Sequence, residues 1–98
     1  MKYPYSRPYI TQADIEELVK VLKCQSLTQG PIVNEFETKL ADVLGAKYAV
    51  ACNSGTAALH IAYAGLGLGP DAGLITTAMT FLATANAAVM CGAPVGFA

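Results

Sequence analysis

The sequence predicts an α/β fold in which helices flank a parallel sheet. From residue 48 onward, short apolar runs bounded by glycine, proline or asparagine alternate with longer alanine- and leucine-rich runs. Parallel neighbouring strands need a long crossover between them, and a helix is the usual crossover. A hydrophobic fraction of 54% in 98 residues is ample for a core.

Residues 1–45 predict an N-terminal arm and two helices. Thr11 and Asp14 have the spacing of a capping box, and apolar residues then recur on one helical face for about three turns. A second helix is expected after Pro31, with Gly45 at the position of a left-handed C-cap. The polar run LTQGP is therefore the connector between two helices.

Residues 46–98 predict the start of the sheet. Strands are expected at residues 48–52, 74–77 and 95–97, the first of them buried on both faces. Helices are expected at residues 56–66 and 80–90, because each run is rich in helix formers and is followed by glycine. The last strand runs into the final residue and leaves an unpaired edge, so we expect a fragment of a longer chain.

Charge and composition exclude several classes of function. The formal net charge is -1 and the six Lys and Arg are scattered, so neither nucleic acid nor an anionic membrane surface is expected as a partner. No apolar run approaches the roughly 20 residues of a membrane span. Three widely spaced cysteines and a single histidine offer no metal site, and they fit a cytoplasmic location in which each cysteine is a small buried hydrophobe.

The run Asn53-Ser54-Gly55-Thr56 between a predicted strand and a predicted helix suggests a phosphate site. Backbone N–H groups in the first helical turn have no intrahelical partner, and together with the helix dipole they attract anions. The alternative is that Ser54 merely caps the helix and Gly55 merely turns the chain. Neither the P-loop nor the dinucleotide fingerprint is present.

Phe81 follows the second predicted strand, in the run Thr77-Ala78-Met79-Thr80-Phe81. Ligands of open α/β sheets bind outside the carboxyl ends of the strands, so Phe81 is expected to face the same crevice as Gly55 and Thr56. An aromatic ring there could stack on a flat cofactor. The alternative is that Phe81 packs in the core.

Four stretches in one order carry a resemblance to a known family: LTQGP with VNEFE, GAKYAVACNSGTAALH, MTFLATANA and CGAPV. Together they resemble the N-terminal quarter of the DegT/DnrJ/EryC1/StrS-type nucleotide-sugar aminotransferases. The resemblance implies a fold type I, aspartate aminotransferase-like large domain that uses pyridoxal 5'-phosphate. The opening YPYSRPYI is most similar to the branch that aminates C4 of a UDP-linked 4-keto-6-deoxy-N-acetylhexosamine in pseudaminic acid biosynthesis.

The resemblance also implies roles for particular residues. Gly55 and Thr56 would hold the cofactor phosphate, and Phe81 would cover one face of the pyridine ring. The substrate would contact the first loop and the arm, through Tyr5, Gln25, Ser26, Leu27, Thr28 and Gly55. Glutamate is the expected amino donor, and the full-length protein is expected to be a homodimer with its active sites at the subunit interface.

Two differences from the family pattern stand out. Relatives usually read G-D-E-V-I-T-T-P where this chain has the run PDAGLITTA at residues 70–78. Family catalysis also needs a Schiff-base lysine and an aspartate beside the pyridine nitrogen, which lie beyond residue 98 in relatives. No lysine here matches that motif, so no catalytic residue is assigned and the 98 residues alone are expected to be inactive.

Three other functions stay open on the sequence. A sugar 3-dehydratase of the same family shares these motifs and carries histidine in place of the Schiff-base lysine. A non-catalytic domain that binds a phosphate ligand or a protein partner is a second alternative. An unrelated nucleotide-binding enzyme is the third, because a lone Ser-Gly-Thr occurs in many folds.

Overall fold

The computed structural model describes residues 6–24, 26–28 and 30–98. The chain divides into two compact units, Met1–Ala49 and Val50–Ala98. The first unit holds helices α1 (Gln12–Leu22) and α2 (Pro31–Leu44). The second holds α3 (Gly55–Gly65), β1 (Leu74–Thr76), α4 (Ala83–Met90) and β2 (Val95–Phe97).

The caps predicted for the first two helices are confirmed. The Thr11 hydroxyl accepts the Asp14 N–H at 3.3 Å, and the Asp14 carboxylate accepts the Thr11 N–H at 2.7 Å. The Thr11 backbone N–H and, at 2.8 Å, the Thr11 hydroxyl both donate to the Asp14 carboxylate, and these two hydrogen bonds lower its pKa. Helix α2 begins with Pro31 and ends at Gly45, whose φ of 62° is left-handed.

The connector between α1 and α2 depends on the absence of a side chain at Gly30. Gly30 is buried, and a Cβ on it would lie 2.5 Å from the Ser26 carbonyl oxygen. That distance is shorter than any van der Waals contact, so a larger residue would force the loop open. The glycine of LTQGP thus lets the chain pass close to its own backbone immediately before Pro31 begins α2.

The second unit is a two-stranded parallel sheet with two helices. β1 pairs with β2 in a register that sets Leu74 opposite Val95, and α4 is the crossover between the two strands. Helix α3 packs on α4. The buried hydrophobic residues of this unit are all alanines: Ala83, Ala87, Ala88 and Ala93. Small side chains let the backbones of the two helices approach closely, which fixes α4 beside α3.

Two predicted elements are wrong in part. Residues 48–52 form no strand, and among the described residues the sheet consists of β1 and β2 alone. Tyr48 and Val50 are accordingly exposed. Helix α4 begins at Ala83 and not at Thr80, because the Thr84 N–H closes a turn onto the Phe81 carbonyl at 3.0 Å.

The cysteines also differ from expectation. Cys24 and Cys52 are exposed and Cys91 is half-buried, so the prediction of buried cysteines is wrong for the first two. The Cys52 thiol donates to the Ser54 carbonyl at 3.4 Å, immediately before α3. Among the described residues, no helix has the length and apolar content that crossing a bilayer requires.

Candidate functional site

Gly55, Thr56 and Phe81, which the sequence singles out from two separate motifs, line one cavity in the second unit. The cavity has a volume of about 640 Å³, within the range of small-molecule sites. Its other walls come from α3 and from the first turn of α4: Ala58, Leu59, Ala62, Ala83 and Thr84. The lining is mostly apolar and has no ionisable side chain.

The N-terminus of α3 presents free donors to this cavity. The Ser54 hydroxyl accepts the Ala57 N–H at 3.2 Å, and the Ser54 carbonyl accepts the Ala58 N–H at 3.0 Å. The backbone N–H groups of Gly55 and Thr56 have no acceptor among the residues that the structure describes. The first turn of α3 also contains no acidic residue. This end of the helix is therefore suited to an anion.

Gly55 leaves open space where a side chain would stand. Its φ lies outside the left-handed region, so the backbone conformation does not require glycine. A Cβ added to it would meet no atom within 4 Å. The alternative raised by the sequence is right in one part, because Ser54 caps the helix. Its other part is wrong, because the chain does not need a glycine at position 55 in order to turn. The missing side chain leaves free space beside the backbone at the start of α3.

The Phe81 ring is exposed and not part of the core. It is 80% accessible to solvent, so the core-packing alternative is wrong for the described part of the chain. Phe81 lines the 640 Å³ cavity and also a smaller one of about 210 Å³ at the carboxyl ends of β1 and β2. Its ring is therefore available to a flat ligand beside the N-terminus of α3.

One polar wall residue was missed by the sequence argument. Thr84 lines the 640 Å³ cavity, and its hydroxyl lies 2.9 Å from that of Thr80. The signal was present in the sequence, because Thr80 and Thr84 are four residues apart on either side of Phe81.

The predicted substrate-binding residues are less fully described. Ser26, Leu27 and Thr28 are exposed on the loop between α1 and α2, in the first unit. Tyr5 and Gln25 lie outside the described residues. A substrate role for these five residues stays a prediction.

The charged residues of the described chain do not line the cavity. Lys20 and Lys39 form exposed ion pairs with Glu17 and Glu35, and Lys47 lies over the Tyr48 ring with its Nζ 5.2 Å from the centroid. Within residues 6–24, 26–28 and 30–98 there is no group of three or more His, Cys, Asp or Glu side chains that could hold a metal ion.

Comparison with known proteins decides the family. The model of the DegT/DnrJ/EryC1/StrS aminotransferase family matches residues 8–98. The chain belongs to this family. Aminotransferases of the family use pyridoxal phosphate. The resemblance inferred from four motifs is therefore confirmed, and with it the fold class.

The relatives are two transaminases and a polysaccharide biosynthesis protein. Two Campylobacter jejuni proteins, each named UDP-4-amino-4,6-dideoxy-N-acetyl-beta-L-altrosamine transaminase, are 50% and 48% identical over 93 residues, which is 95% of this chain. The Bacillus subtilis spore coat polysaccharide biosynthesis protein SpsC is 44% identical over 95 residues, or 97% of this chain. The chain spans 24% of the length of each of these relatives.

Solved structures of a sugar aminotransferase also match this chain. The Streptococcus pneumoniae protein Spr1654, described as a sugar aminotransferase, matches in its PLP-form with a TM-score of 0.89 and 35% identity. Its PMP-form matches equally well. Each match covers 97% of this chain and 24% of that protein.

Proposed function

We propose that this chain is part of a pyridoxal-phosphate-dependent aminotransferase that acts on a nucleotide-linked 4-keto-6-deoxy sugar, with glutamate as amino donor. The observation that carries the proposal is the meeting of Gly55, Thr56 and Phe81 at one cavity, in a chain that belongs to a family of sugar aminotransferases. The names of the two Campylobacter jejuni relatives support a UDP-linked N-acetyl sugar as the substrate.

The cavity residues fit pyridoxal phosphate. The open space at Gly55 admits a phosphate close to the backbone, where the N–H groups of Gly55 and Thr56 are free to donate. The Thr56 hydroxyl is a further donor at the same helix end. The exposed Phe81 ring offers a face for the pyridine, and Ala58, Leu59 and Ala62 form an apolar wall of the same cavity.

When bound, pyridoxal phosphate supplies an aldehyde that carries the amino group and a ring that accepts electrons. The residues of this chain would bind the cofactor and orient it. Gly55 and Thr56 would fix the phosphate, and Phe81 would set the tilt of the ring, so that the reacting carbon points the same way in each half-reaction. Proton transfer has no candidate in the cavity lining, because that lining has no lysine, histidine or carboxylate.

The substrate and assembly proposals rest on the family resemblance. We assign the nucleotide-sugar to the loop of Ser26, Leu27 and Thr28, with Gln25, Tyr5 and Gly55, on the family resemblance. We also expect the whole protein to act as a homodimer and to work in the cytoplasm.

The proposal is tested by following nitrogen from donor to sugar. We expect the whole protein, given pyridoxal phosphate, a UDP-linked 4-keto-6-deoxy-N-acetylhexosamine and ¹⁵N-glutamate, to replace the C4 ketone by an amine. Each sugar aminated releases one 2-oxoglutarate, and mass spectrometry should find ¹⁵N in the sugar. The same mixture without glutamate is the control.

Other products would identify the alternatives. A 3-dehydratase would release the C3 hydroxyl as water and leave no ¹⁵N in the product. Binding of pyridoxal phosphate with no change in any keto sugar would favour a non-catalytic phosphate-ligand domain. Either outcome would overturn the proposed activity while leaving the cofactor site intact.

A further inference from the structure

Two threonine hydroxyls bracket Phe81. The Thr80 and Thr84 Oγ1 atoms lie 2.9 Å apart, within hydrogen-bond distance. The backbone between them is closed a second time, because the Thr84 N–H donates to the Phe81 carbonyl at 3.0 Å. Phe81 therefore lies inside a turn that is closed by one hydrogen bond between side chains and one between backbone groups.

Within the described residues, Phe81 has few other restraints. With 80% of its surface exposed, the ring gains few packing contacts that would select one orientation. The usual restraint at a helix start is also missing, because the N-cap of α4 is Leu82, which makes no side-chain hydrogen bond to the backbone. The hydroxyl pair is thus the side-chain hydrogen bond that fixes this turn in the described structure.

We propose that Thr80 and Thr84 are a positioning pair, which holds Phe81 at the angle that the cofactor ring needs. Thr84 lines the 640 Å³ cavity and Thr80 lines the 210 Å³ cavity, and Phe81 lines both. This inference rests on the proposed function, because it takes pyridoxal phosphate as the ligand of the larger cavity. It assigns no contact between either threonine and the reacting atoms.

The test replaces each hydroxyl by a methyl group of the same shape. Thr80→Val, Thr84→Val and the double variant are made in the whole protein, with Thr80→Ser and Thr84→Ser as matched variants that keep the hydroxyl. Pyridoxal phosphate is titrated by absorbance. Visible circular dichroism of the bound cofactor is recorded at saturation, because it reports how the ring is held. Thermal unfolding of the cofactor-free protein gives the structural effect separately.

Each valine variant should bind pyridoxal phosphate about three- to tenfold more weakly, as expected for the loss of one neutral hydrogen bond. Its circular dichroism band should change in intensity. The double variant should be no weaker than either single variant, because either change breaks the same hydrogen bond. Serine should restore both the affinity and the band.

Unchanged affinity and circular dichroism in both valine variants, or additive losses in the double variant, would overturn the inference. A lower unfolding temperature with an unchanged band at saturation would do the same, since it would mean a purely structural role. If Thr84→Val does not fold, the affinity and circular dichroism of Thr80→Val, at an exposed position, decide whether the inference holds. Failure of the unmodified protein to bind pyridoxal phosphate would instead overturn the proposed function.

Discussion

Thr56→Val in the whole protein should weaken the binding of pyridoxal phosphate without unfolding the protein. Thr56 lies in the first turn of α3 and lines the cavity, and its hydroxyl has no partner among the described residues. Valine keeps the shape and removes that donor. A hydrogen bond to a charged group contributes about 1.5–3 kcal/mol, so the dissociation constant should rise roughly ten- to a hundredfold.

Gly55 variants test the backbone part of the same cradle. Because Gly55 has open space around its missing Cβ and no left-handed φ, Gly55→Ala should fold normally. Its methyl group would nevertheless occupy the space assigned to the phosphate. We expect Gly55→Ala to bind more weakly than the unmodified protein, and Gly55→Val to bind more weakly still.

The assay is a cofactor titration followed by absorbance, with folding checked by far-ultraviolet circular dichroism. Thr56→Ser should recover most of the affinity. Thr38→Val is the matched control, because the Thr38 hydroxyl donates to the Asn34 carbonyl within α2 and does not line the cavity of α3. Cys52 is unsuited as a control, since its thiol contacts the Ser54 carbonyl. Folded Gly55→Val and Thr56→Val proteins with normal affinity would refute the phosphate site.

Three further predictions concern the chain itself. A polypeptide of these 98 residues, mixed with pyridoxal phosphate and borohydride, should show no site-selective labelling, because no lysine lines the cavity; stoichiometric labelling of one lysine with turnover of a keto sugar would contradict this. The same polypeptide should self-associate, because Ile15, Leu18 and Leu22 of α1 are all exposed; a stable monomer by light scattering at roughly tens of micromolar would argue against it. The Asp14 carboxyl should titrate with a lowered pKa, so the stability from its cap is present above the unfolded-state pKa and is lost as pH falls through the folded-state pKa. Thr11→Ala keeps the backbone N–H, which is the larger cause, and removes the hydroxyl, so it should raise that pKa part of the way in an NMR titration; an unmoved pKa would refute the hydroxyl as a cause.

Local signals predicted most of the helical part of the fold. The capping box of Thr11 and Asp14 and the left-handed Gly45 both act within one or two turns, so sequence spacing is enough to find them. The strand prediction at residues 48–52 failed because a strand needs a partner, and an apolar run does not say which segment supplies it. The start of α4 was displaced because a turn at Phe81 competes with the helix.

Sequence patterns likewise predicted only part of the candidate site. The meeting of Gly55, Thr56 and Phe81 at one cavity was expected, but not for the reason given by the sequence, because the run before Gly55 is not a strand. The packing of α3 on α4 brings them together. Thr84 was missed, because its spacing from Thr80 does not by itself show that it lines the cavity. The exposure of Cys52 was not predicted either, because Cys52 was expected in a buried strand at residues 48–52 that does not form.

The most direct test of the central claim is a crystal structure of the whole protein with pyridoxal phosphate bound. We expect phosphate oxygens within about 3.2 Å of the backbone nitrogens of Gly55 and Thr56, the normal range of an N–H···O hydrogen bond. The pyridine ring should stack against Phe81, with Thr80 and Thr84 still paired beside it. Electron density for the phosphate at any other part of the chain, or a pyridine ring out of reach of Phe81, would contradict the account.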